Sequence, residues 1–118
     1  MAAPNIVNVT TILAKTAVAN VTTVLSNVIV NAVNSSTVVK INSIVIANRS
    51  TGTIVSNVDL YRDGESYTIA GAIAVPANST MVITGKDTAI YLEEGDILRS
   101  NASANVAATL TSSYEIIS

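Results

Sequence analysis

Turn-forming clusters punctuate this chain at roughly 8–12-residue intervals, and Val, Ile and Thr dominate the stretches between them. Such β-branched side chains are stiff about their first torsion and fit a pleated sheet better than a helix. Short strands at this spacing are the pattern of a sandwich or a barrel. The sharpest turn signal is Asp63-Gly64, because both residue types tolerate the positive φ that a two-residue hairpin loop requires. Asn34-Ser35-Ser36, Asn48 to Gly52, Pro76 to Ser79, Gly85 to Asp87 and Asn101 to Asn105 read as further turns. In Leu92-Glu93-Glu94-Gly95-Asp96 a buried Leu ends one strand, Gly supplies a positive φ, and Asp accepts from local backbone amides as the next strand begins.

Alternation within the strands assigns their faces. Val39, Ile41, Val45 and Ala47 are expected to point inward, with Lys40, Asn42, Ile44 and Asn48 outward. Next, Ile54, Val58 and Leu60 point inward against Asn57, Asp59 and Tyr61. Tyr67, Ile69, Gly71, Ile73 and Val75 form the apolar face of the returning strand. Residues 17–33 also fit a helical stripe through Val18, Val21, Leu25, Ile29 and Val33, but their β-branched content favours strands. Asn8-Val9-Thr10-Thr11-Ile12-Leu13 is echoed by Asn20-Val21-Thr22-Thr23-Val24-Leu25, an even offset that would give two strands facing the same way. With 118 residues, one domain is expected. The reading is an all-β, single-domain antiparallel β-sandwich, jelly-roll-like, over residues 9–118. An extended arm over residues 1–8 precedes it, and Pro4 keeps that arm extended.

Only 12% of the residues are charged, and the net charge is −2. A surface of Asn, Ser and Thr is cheaper to bury against another subunit than a charged one. Lys15, Lys40, Arg49, Arg62, Lys86 and Arg99 are scattered singly, so no basic face for nucleic acid is expected. The uncharged run between Lys15 and Lys40 is interrupted by Asn20, Asn27, Asn31 and Asn34, which argues against a membrane-spanning helix. The opening residues carry no signal-peptide pattern, so the N-x-S/T sequons at Asn8, Asn20, Asn34, Asn48, Asn78 and Asn101 read as products of composition.

The inventory is poor in chemistry. His and Cys are absent, which removes the usual general base, the thiolate nucleophile and the ligands of zinc. Asp59 with Asp63 or Glu65, and Glu93 with Glu94 or Asp96, are the paired carboxylates, and they read as solvated turn residues. Neither group has the spacing of a calcium-binding EF-hand loop. The expectation is no enzyme and no cofactor.

Four segments carry a resemblance. They are Met1-Ala2-Ala3-Pro4-Asn5-Ile6-Val7-Asn8-Val9, Ile73-Ala74-Val75-Pro76-Ala77-Asn78-Ser79-Thr80, Lys86-Asp87-Thr88-Ala89-Ile90-Tyr91-Leu92-Glu93-Glu94-Gly95-Asp96, and Ser113-Tyr114-Glu115-Ile116-Ile117-Ser118. Through them the chain resembles small virion proteins of tailed phages of marine bacteria, cyanophages especially; residues 14–37 match least. The resemblance implies a place on the particle and no catalytic residues. A capsid decoration (cement) protein on the outer shell, made in the host bacterial cytoplasm, fits both this and the composition. Its partners would be the major capsid protein or other virion subunits and copies of itself, with a trimer favoured. Pro4, Asn5, Ile6 and Val7 are the candidate arm contacts, adding a strand to a neighbour's sheet edge. A neck, tail or fibre-associated protein is the structural alternative. A carbohydrate-binding β-sandwich module is the other, with Tyr61 and Tyr67 beside the Asp-Gly hairpin as its candidate contacts.

Overall fold

A computed structural model describes residues 11–104 and 108–118, and most of these lie in strands. In chain order they are β1 (Ile12–Val21), β2 (Ser26–Val30), β3 (Val38–Asn48), β4 (Ile54–Arg62) and β5 (Glu65–Val75). Then follow β6 (Thr80–Thr84), a 3-10 turn at Lys86–Thr88, β7 (Ile90–Leu92), β8 (Ile97–Ala102) and β9 (Ala108–Ile117). Residues 17–33 are thus strand, turn and strand rather than helix. The expected arm, with Pro4, Asn5, Ile6 and Val7, lies outside the described residues.

The strands form two antiparallel sheets. One runs β1-β9-β3-β6, with β7 also on β3; the other runs β2-β8-β4-β5. β6 pairs with Ile44–Ala47 and β7 with Val39–Ile41, so the two are halves of one strand along the same edge of β3. Counted that way, the first strand pairs with the last, the second with the second last, the third with the third last, and the middle two form a hairpin. A long hairpin rolled over on itself in this way is a jelly roll, as the turn spacing and alternation suggest.

Between the sheets, Ile41, Ile44, Ile46, Val58, Val75, Leu92, Leu98 and Leu110 are fully buried. The phase of β3 differs from simple alternation. Its pairing with β9 slips between Ile41 and Ser43, where Asn42 is the extra residue. One inserted residue turns all later side chains over. Ile44, Ile46 and Asn48 therefore point inward, and Val45 and Ala47, expected inside, lie on the other face. The interruption between β6 and β7 sits at the same height as this bulge.

β4 has the expected faces, and Asp63 (φ 52°) with Gly64 (φ 82°) closes its hairpin to β5. β5 carries two bulges, with Ala72 at φ 51° in one of them. They bring Ala70 into the core beside Ile69, Ile73 and Val75 and leave Gly71 exposed, contrary to the simple period-2 reading; Tyr67, opposite Leu60, keeps the expected face but stands exposed. The six-residue echo is not a structural repeat: Ile12 and Leu13 begin β1, whereas Val24 and Leu25 lie in the turn after it.

Candidate functional site

The acidic residues expected to lie in solvent are partly inside. Asp96 follows Gly95 (φ 89°) and is fully buried. Its carboxylate accepts from Arg62 Nε (2.8 Å) and Nη2 (2.5 Å) and from the Glu93 backbone N–H (2.8 Å). Arg62 Nη2 also meets Glu93 Oε2 at 2.9 Å. The hydrogen bond to Asp96 raises the guanidinium pKa, burial works against it, and the charges of Asp96, Glu93 and Asp63 add to the rise. A raised pKa stabilises the fold at every pH below the unfolded value and is lost only as pH climbs through the folded one. For Arg that window lies beyond any working pH. Glu94, also buried, accepts from the Ser36 N–H at 2.7 Å. This group holds a turn in place, and its carboxylates face an arginine and backbone amides rather than each other.

Two buried asparagines do similar work. Asn31 donates from Nδ2 to the carbonyls of Thr37 (3.0 Å) and Leu92 (2.9 Å), while its Oδ1 accepts from the Ser35 and Thr37 hydroxyls. Its backbone pairs with Asp96 and Gly95, so the 31–37 loop and the 93–96 turn are one hydrogen-bonded body. Asn48, turned inward by the Asn42 bulge, donates to the carbonyls of Gly52, Val75 and Pro76. Its amide nitrogen is committed inside the fold, so the sequon there is no glycosylation acceptor in the folded protein.

Tyr61 and Tyr67 do not form one platform. Tyr61 pairs with Ser66, and Tyr67 pairs with Leu60, so the two rings leave opposite faces of the sheet. Arg99 lies over the Tyr61 ring, 4.1 Å from its centroid, and donates to Ser66 Oγ. Tyr67 is 54% exposed.

Two shallow depressions stand out among the described residues. One, about 370 Å³, lies between β5 and β6 and is largely apolar, with Ile69, Ile73, Met81 and Ile83 in its wall. Thr84 also lines it, and its Oγ1 is buried without a hydrogen-bond partner among the described residues. The other, about 490 Å³, lies around Lys40, Asn42, Lys86 and Glu115; Glu115 accepts from Asn42 and sits 4.0 Å from Lys40 Nζ. Among the described residues no group of three or more metal-ligating side chains converges.

The outstanding surface feature is apolar. Ile12, Leu13, Val18, Val24, Val30 and Val33 are half exposed or more. All lie on β1, on β2 or in the loops that leave them, and β1 and β2 are neighbouring edges of the two sheets. Lys15 is the only charged residue from Thr11 to Val39. No residue-type motif marks this side; its signal in the sequence is the length of the uncharged run. No helix among the described residues is long and apolar enough to cross a membrane. Comparison of the chain with protein-family models gives no match, and a search of the curated proteins gives none.

Proposed function

We propose that this protein is a non-enzymatic structural subunit of a phage particle, most directly a capsid decoration protein that bridges neighbouring capsid subunits on the outer shell. The observation that carries the reading is the apolar β1–β2 side, on which Lys15 is the one charge of the two strands. Exposed patches of this kind mark contact with another protein, and burying them incurs little charge desolvation. The jelly-roll order supports it, since capsid domains use that architecture, although the fold alone does not assign a role. So do the four segments that resemble small phage virion proteins. Partners are the major capsid protein or other virion subunits together with further copies of this chain, and neither nucleic acid nor a membrane is needed. Synthesis in the host cytoplasm would precede assembly.

The test is the amount of this chain in purified particles relative to the major capsid protein. A simple ratio supports decoration, a trace amount moves the protein to the neck, tail or a fibre, and absence overturns the virion reading. A carbohydrate-binding module is the less favoured reading, because Tyr61 and Tyr67 stand on opposite faces of their sheet. Glycan binding lost on changing Tyr67 would revive it.

A further inference from the structure

Sheet edges invite further pairing, and proteins blunt them with charges, prolines, bulges or brevity. Among the described residues, three of the four edges are blunted. β2 has five residues and a register shift between Asn27 and Ile29. β5 carries two bulges, and β6–β7 is broken by the 3-10 turn. β1 differs. It makes ten consecutive pairs with β9 without a slip, has no proline, and carries Lys15 as its only charge. Its other edge pairs with no described strand.

We propose that β1 is a homotypic docking strand: two copies join β1 to β1, antiparallel, into one continuous sheet of paired subunits. This rests on the assembly reading above and names its contact, with a two-fold in place of the threefold arrangement expected from the sequence. A second copy fits this edge as occupant in both charge and side-chain pairing. A two-fold axis normal to the sheet keeps like faces together, so a residue must sit opposite itself. Centred on Ala17, the pairing sets half-exposed Leu13 opposite Val21 of the other copy. It sets Val18, 68% exposed, opposite Thr16, and Lys15 opposite Ala19. The two Lys15 residues are then four positions apart, about 14 Å along the strand, beyond the screening length of roughly 8 Å at physiological salt. Centring on Thr16 halves that separation. All eight acidic residues lie from Asp59 onward, so none belongs to β1 or β2.

Sedimentation velocity over a concentration series tests this. The wild-type chain is expected to dimerise, and Val18→Lys to weaken dimerisation about tenfold or more. Val82→Lys, at a similarly exposed position on β6, should leave it unchanged. Thr16→Lys serves if Val18→Lys does not fold. In a chain with no cysteine, Ala17→Cys should form a covalent dimer on oxidation, and Ala19→Cys should not. A monomer at every concentration, a trimer, or a dimer indifferent to Val18→Lys and Thr16→Lys would overturn the proposal. The copy number on particles would stand apart from any of these results.

Discussion

Two regions of this molecule invert the usual placement of residues. Around the 93–96 turn, Asp96 and Glu94 are buried, each with partners. On the β1–β2 side, Val18 and Val33 stand about 70% exposed. Charged groups hold the fold together, while apolar ones face outward. The difference teaches that stability and association are separable here. A buried carboxylate with an arginine and an amide against it cannot be altered without loss of stability. An exposed valine contributes little to folding and is free to serve contact.

That separation can be broken most severely at Asp96. Asp96→Ala leaves Arg62 and the Glu93 amide without their acceptor, and urea unfolding should show a loss of about 3 kcal/mol. This is the low end for breaking a buried pair, because Arg62 is one-third exposed. Asn31→Ala comes next. It strips two carbonyls and two hydroxyls of their partner and should cost about 2 kcal/mol by the same measurement. At Ala72 the backbone is held at φ 51° in a bulge of β5, a conformation that strains any side chain bearing Cβ. Ala72→Gly should raise stability by about 1 kcal/mol or less, since glycine also loosens the unfolded chain. The smallest effect on stability belongs to Val18→Lys, within about 0.5 kcal/mol, although it is the change expected to weaken pairing between copies about tenfold or more. A large stability loss there would show that the two regions are not separable.

The hairpin at Asp63-Gly64 and the turn ending in Asp96 were legible because each is governed by local backbone chemistry. A positive φ and a side chain reaching its own turn need no information from elsewhere. The faces of β3 and β5 were not legible in the same way. Asn42 and Ala72 are unremarkable in sequence, and their bulges arise from the fit of β3 to β9 and of β5 to β4. Once Asn42 turns the strand over, Asn48 becomes an internal bridge and Val45 a surface residue. The acids of the 93–96 turn looked solvated because their partners, Arg62 and Ser36, are distant in the chain. Tyr61 and Tyr67 flank one turn and so read in sequence as neighbours for a ligand, but the hairpin register sends them to opposite faces. The apolar side was visible only as a lack of charge; which part of it forms a straight, unpaired edge depends on the sheet order.

The most direct measurement is amide hydrogen exchange at two protein concentrations, read for β1 and for β5. The account predicts that amides of β1 become more protected as concentration rises, while those on the bulged edge of β5 do not change. Protection of β1 that is independent of concentration, or that rises equally on β5, would contradict it.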